Sequence, residues 1–392
     1  MAVILCLKGM VCLAKIARGT FILFILKKRR TLPIAALLAA FTLSSNLQAQ
    51  PLVNIQTVTV GDAGNAADTR TNAGSFGYGA VADVFAIGQY EVTISQYTTF
   101  LNSAASVTSD SYIVNLWNAN MTSNLNIAGI SRSGDGSSVS PYSYSVIGSG
   151  NRPISYVSWF DAARFANWVN NGAVNGASTE TGAYTLNGAT NGVGFTKNAG
   201  TTWFLPSEDQ WYKAAYHTGG GTNAGYWLYP TQSDTAPGNT IGGATNQANY
   251  NNGVYSVTQS SSYSGSQNYL TDAGAFSNTP GAYGTFDQGG NVFEWNDAVI
   301  DSSRGLRGGS WDYGDGGLQS SYRGKSFVGP EGEYGNVGFR VASVPEPSTY
   351  ALILMAGAGW LRWRRRKGQG VGDARAYLNA INRTFIRHEL GE

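Results

Sequence analysis

"RPISYVSWFDAARFANWV", residues 152–169, contains the start of a helix written in side-chain chemistry. Ser158 stands just before an aromatic and alanine-rich run, and Asp161 follows three residues later, so side-chain oxygens cover the free amides of a first turn. Asn170-Asn171-Gly172 supplies the stop, because glycine tolerates the left-handed conformation that closes helices. Working outward, "TISQYTTFLNS" opens with Thr93 and places Gln96 three residues on, and "SEDQWYKAAYH" opens with Ser207 and Gln210. In the first of these, Ile94, Tyr97, Phe100 and Leu101 form one apolar stripe. Between the helices lie short strand-like segments and polar stretches such as 179–194 and 219–225. Aromatic residues are spread throughout, which separates this composition from disorder. The expected fold is α+β and loop-rich, with few short strands and about three main helices.

The ends of the chain read differently. Lys27, Lys28, Arg29 and Arg30 precede an apolar stretch from Leu32 to Leu43, then Leu47-Gln48-Ala49. That order predicts a secretory signal over residues 1–49, with the mature chain starting near Gln50. The extra apolar segment Thr20 to Leu26 leaves an N-terminal anchor as the alternative. At the other end Pro345-Glu346-Pro347 leads into an apolar run from Tyr350 to Leu361, closed by Arg362, Arg364, Arg365, Arg366 and Lys367. The run is shorter than the ~20 residues of a comfortable membrane helix, and the basic cluster behind it predicts a cytoplasmic flank. Residues 344–367 resemble the PEP-CTERM sorting signal of Gram-negative bacteria. The resemblance implies export, an exosortase-type processing partner, membrane attachment through the C-terminal segment, and residence in the cell envelope or at the surface. The signal ordinarily ends its protein, whereas a tail of residues 368–392 follows here.

Residues 51–343 carry 11 basic and 20 acidic side chains, a balance of −9 that the whole-chain value of +2 conceals. Without a basic face, nucleic acid is excluded as a partner class. Cys6 and Cys12 are the only cysteines and both precede the expected cleavage point, so the exported body has no disulfide and depends on a large core. His217 is the only histidine between residues 51 and 343. Histidine-built zinc sites and Ser-His-Asp triads are therefore excluded on ligand count.

"YEVTISQYTTFLN", "RPISYVSWFDAARFANWV", "FLPSEDQWYKAA", "GNVFEWND", "LRGGSW" and "GNVGFRV" follow one another across the body. In that order they resemble the formylglycine-generating-enzyme (sulfatase-modifying factor) family. The resemblance implies a fold related to the C-type lectin fold for residues 51–343.

"GTFDQGGNVFEWND", residues 284–297, gathers acidic and backbone oxygens around a glycine pair. Residues two apart in an extended segment face the same way. The carbonyls of Gly290 and Val292 and the carboxylate of Glu294 are thus expected to converge, with Asp287 folding back to them. Four hard oxygens with two negative charges suit Ca²⁺, and the family resemblance implies a structural calcium site at these four positions. The alternative is that Asp287 caps a turn while Glu294 pairs with an arginine such as Arg307. The resemblance also implies a second calcium site beginning at Ala248-Asn249, but its further positions, 265–268, contain no acidic side chain.

Catalysis is where the chain departs from the resemblance. Oxidase members use two cysteines five residues apart, shortly before an arginine and the closing "GFR", to bind copper. Counting back from Arg323, these positions become Asp315 and Ser320. Neither residue replaces a thiolate for Cu(I), so oxidase chemistry and copper are expected to be lost. The expected role is a surface recognition or matrix protein with a peptide or glycan ligand. The alternative is a modifying enzyme that uses Asp315, Ser320 and Arg323. Glu208 and Asp209 are expected to serve a helix dipole, and His217 to be a dipole partner or a satisfied surface residue. Trp159, Trp211, Trp295 and Trp311 are expected in the core.

Overall fold

The computed structural model describes residues 3–7, 11–16, 20–25, 50–70, 77–105, 116–325 and 329–345. The expected signal run from Leu32 to Leu43 and the apolar and arginine-rich part of the sorting segment lie outside these residues. The chain divides into two units. In the N-terminal one, β1 (Val3–Leu7), β2 (Val11–Ile16) and β3 (Thr20–Ile25) make an antiparallel sheet.

In the second unit, all three capping signals open helices. Thr93 precedes α1 (Ile94–Ala105), its N–H donating to Gln96 Oε1 at 2.9 Å while the Gln96 amide reaches Thr93 Oγ1 at 3.3 Å. A one-turn α2 (Asn120–Ser123) follows. Ser158 and Asp161 form a reciprocal box over α3 (Trp159–Asn170), and Ser207 and Gln210 do the same over α4 (Glu208–Tyr216). Gly172 takes the positive φ expected beyond α3.

Strands are short. β4 (Thr57–Val60), β5 (Phe85–Gly88), β13 (Ala342–Ser343) and β8 (Trp203–Phe204) form one sheet in that order. β6 (Ile130–Ser133) pairs with β7 (Ser143–Val146). In the third sheet β9 (Phe293–Ile300) lies between β10 (Ser303–Arg307) and β12 (Val337–Phe339), and β11 (Gly324–Lys325) pairs with β10. The parallel register of β12 on β9 sets Gly338 beside Glu294, which brings Arg340, two residues on, to that carboxylate.

The core is aromatic. Phe165 on α3 contacts Phe100 edge-on at 5.4 Å and Phe339 at 5.4 Å, with Tyr97 and Trp168 beside it. Trp159, Trp211 and Trp295 are completely buried and Trp311 nearly so, as expected from the sequence. The Trp295 indole N–H also donates to Val157 O at 2.9 Å, tying β9 to the start of α3. Burying such side chains supplies the hydrophobic stabilisation that disulfides cannot. Among the described residues no helix is long and apolar enough to cross a membrane.

Candidate functional site

The turn before β9 departs from the expected extended geometry. Asp287, Gly290 and Asn291 all have left-handed backbone, with φ of 59°, 88° and 60°, so regular extension begins only at Phe293. The cause is a neighbour 41 residues earlier in the chain. Asn249 pairs with Gly290 as an isolated parallel bridge, and the Asn291 N–H donates to Asn249 O at 2.8 Å. A Cβ on Gly290 would lie 2.1 Å from Asn249 O, so glycine is required there both sterically and conformationally.

Asn249 therefore belongs to the same turn as residues 287–294. Its side-chain amide donates to Tyr269 O and to Asn291 Oδ1, each at 3.0 Å. Asn291 Oδ1 also receives the Thr271 N–H at 3.1 Å. Asn291 is the hub that sequence reading passed over, and its signal was an asparagine following two glycines.

Glu294 is 1% exposed and faces Arg340 rather than Arg307. Arg340 Nε and Nη2 each donate to one carboxylate oxygen at 2.6 Å, and Trp211 Nε1 adds a third bond at 2.7 Å. Arg340 further donates to the carbonyls of Gly88 and Phe286, locking this corner to β5. Asp287 accepts the Gly274 N–H at 2.6 Å, from a loop 13 residues earlier in the chain. Burial pushes its carboxyl up to about 6, against the pull of that bond and of Arg340.

Glu91, between β5 and α1, was not singled out from sequence. It is 2% exposed and neither of its carboxylate oxygens has a hydrogen-bond partner. Burial, then the charge of Asp287, hold its carboxyl well above the ordinary range. A buried carboxyl without a partner escapes the cost of an unpaired charge by keeping its proton. Among the described residues no three acidic, histidine or cysteine side chains converge on one point.

A second polar cluster surrounds the positions implied for catalysis. Asp315 opens a 3-10 turn, Asp315–Leu318, and accepts from Tyr229 Oη at 3.1 Å. Ser320 is fully buried: its N–H donates to Leu228 O, and its Oγ accepts from Arg70 Nη2 at 3.2 Å. Arg70 is gripped by Asp68 at 2.6 Å, and Tyr212 Oη donates to the same carboxylate at 2.6 Å. Burial would raise the Asp68 carboxyl, yet the hydrogen bonds from Arg70 and Tyr212 hold it below the ordinary value.

Glu208 joins the cluster from the first turn of α4. Rather than only facing the helix dipole, it binds Arg307 and Arg323, both at 2.7 Å. Burial opposes ionisation of Glu208, but the two arginines win and lower its carboxyl. Asp209 accepts the Gly79 N–H at 2.8 Å. Arg323 stays about one-third exposed, with Tyr78 5.2 Å from its guanidinium carbon. The cluster thus presents aromatic and cationic groups on a rigid, internally paired base.

His217 corrects the expectation of a surface residue, because it is completely buried. Its Nδ1 accepts the Gly219 N–H at 3.1 Å and lies 2.6 Å from Tyr283 Oη. Burial, then Lys213, lower its basicity, favouring a neutral ring. The histidine became internal because Tyr226 and Tyr283 cover it from loops that no helical pattern reveals.

The chain matches the family model described as the sulfatase-modifying factor enzyme 1-like domain over residues 50–344, and that of the PEP-CTERM protein-sorting motif over residues 343–367. No curated protein matches the chain. Among solved structures, CarF is 22% identical, with 75% of this chain and 100% of that one covered, at a TM-score of 0.40. Variable protein 1 of Treponema denticola is 17% identical, covering 75% and 96%, at 0.39. PvdO from Pseudomonas aeruginosa is 17% identical, covering 75% and 93%, at 0.35. The chain belongs to the sulfatase-modifying factor enzyme 1-like family and carries a PEP-CTERM sorting motif at the end of that domain.

Proposed function

We propose that this is an exported, envelope-held member of the family that has lost oxidase chemistry and serves as a surface recognition or matrix protein. The observation that carries the reading is the replacement of both implied cysteine positions. Asp315 and Ser320 stand there, engaged by Tyr229 and Arg70, in a body without a single thiol. Cuprous copper needs soft ligands, and carboxylate or hydroxyl oxygen is hard. The ligand in this reading is a peptide or glycan lying over Tyr78 and Arg323. Ring stacking and charge-assisted hydrogen bonds are the contacts those side chains offer. One structural Ca²⁺ is proposed at the turn formed by Asp287, Gly290, Val292 and Glu294.

Incubating the purified protein with envelope peptides and glycans, then measuring both binding and ligand mass, tests this. Binding without a change in mass, weakened by Arg323→Ala, is expected. A covalently altered ligand, with turnover lost in Ser320→Ala and binding intact, would instead establish a modifying enzyme.

A further inference from the structure

We infer that the cavity between the start of α1 and the segment leading into β4 is a binding site for an uncharged sugar ring. The cavity is open and holds about 390 Å³, near the lower end of the ~300–1,000 Å³ typical of small-molecule sites. Its polar lining comes from Asn54, Gln56, Thr93, Ser95, Gln96 and Asn151. None of these residues belongs to the cluster around Tyr78 and Arg323, so the inference does not depend on the ligand proposed there.

The walls are fixed by bonds that leave several side chains unused. Gln96 Nε2 donates to Asn54 O at 3.0 Å, and Gln96 Oε1 holds the Thr93 N–H at 2.9 Å. The Gln89 N–H donates to Gln56 O at 2.8 Å, and the Ala273 N–H to Asn151 O at 3.0 Å. Asn54, Gln56 and Asn151 are thus anchored through their backbone carbonyls. Among the described residues their side-chain amides make no hydrogen bond, and neither does the Ser95 hydroxyl. Tyr90 lies half-buried on the same wall, its ring stacked on Phe286 at 5.5 Å.

The lining decides the class of ligand. Among the described residues no lysine, arginine or histidine lines the cavity to receive an anion. The single acid, Glu91, has both oxygens buried, so a cation finds no exposed carboxylate either. A wholly apolar ligand would displace water from the amides and hydroxyls without replacing its hydrogen bonds. An uncharged ligand rich in hydroxyls meets all three conditions. Each side-chain amide both donates and accepts, as each sugar hydroxyl does. The apolar C–H face of a pyranose suits the part of the Tyr90 ring that Phe286 leaves uncovered.

The test is ligand-detected saturation-transfer NMR on the purified protein, with methyl glucoside, methyl galactoside, N-acetylglucosamine and glucuronate as probes. At least one of the three neutral sugars should bind, and glucuronate should bind more weakly. Gln56→Ala and Asn151→Ala should each weaken the neutral sugar about fivefold, the equivalent of one lost hydrogen bond. Both variants should melt with the wild type, because neither side-chain amide holds the fold. Arg323→Ala should leave the sugar bound as before, which separates this cavity from the Tyr78 cluster. Failure of all three neutral sugars to bind, affinity unchanged in both amide variants, or glucuronate bound as tightly as the neutral sugars would each overturn the assignment. Loss of the sugar in Arg323→Ala alone would place it at the other site and overturn it as well.

Discussion

Arg340 meets Glu294 at two points, Nε to Oε2 and Nη2 to Oε1, each 2.6 Å, with neither side chain more than 1% exposed. The pair joins β9 to the chain beyond β12. Breaking a buried pair leaves one uncompensated charge, at a cost of about 3–5 kcal/mol. Glu294→Ala should lower stability by that amount in urea unfolding. A change under about 1 kcal/mol would mean that Arg340 finds water or another acceptor.

Gly290 should tolerate no side chain. Its φ of 88° disfavours any Cβ, and Asn249 O occupies the place where one would go. Gly290→Ala should therefore destabilise by about 2 kcal/mol or more. Gly253, also at positive φ but with open space around it, is the comparison: Gly253→Ala should show only the conformational cost. Thermal unfolding of the two variants checks the difference.

Glu333 makes stability depend on pH. Burial, then Asp161, raise its carboxyl to about 7, against the hydrogen bond from Asn118. A carboxyl raised on folding binds its proton more tightly in the native state, so its contribution is fully present below the unfolded value near 4.5. It is lost as pH rises through about 7. Over that window the decline amounts to at most about 3 kcal/mol. Urea midpoints across this range should fall less steeply for Glu333→Gln than for wild type. Parallel profiles would contradict the assignment.

Helix starts were legible because capping is local: Thr93, Ser158 and Ser207 act on amides within three residues. Ser158→Ala should accordingly cost about 1 kcal/mol. Burial of the four tryptophans followed from their place within the family motifs. The partners of Glu208 and Glu294 were not legible. Arg323 lies 115 residues from Glu208 and Arg340 lies 46 from Glu294, so each pairing depends on how the β9 sheet is assembled. Arg307 illustrates the limit: it is bonded to Glu208, although the sequence reading offered it as an example of a partner for Glu294. The left-handed turn at residues 287–291 was hidden for the same reason, since Asn249 imposes it from a distant loop.

Calcium should stabilise the protein through linkage. At a free concentration one hundred times the dissociation constant, binding to the native state alone adds about 2.7 kcal/mol. Melting curves with calcium and with chelator should separate accordingly, and magnesium should be the weaker ligand because it demands a more regular octahedral shell. Coincident curves would show that no structural ion is held.

The loss of oxidase chemistry is tested most directly by aerobic incubation of the copper-supplemented protein with a cysteine-bearing sulfatase peptide, followed by mass spectrometry and aldehyde trapping. The account predicts an unchanged cysteine and no trapped product. Conversion of that cysteine to formylglycine would contradict it, because Asp315 and Ser320 would then stand in a working oxidase.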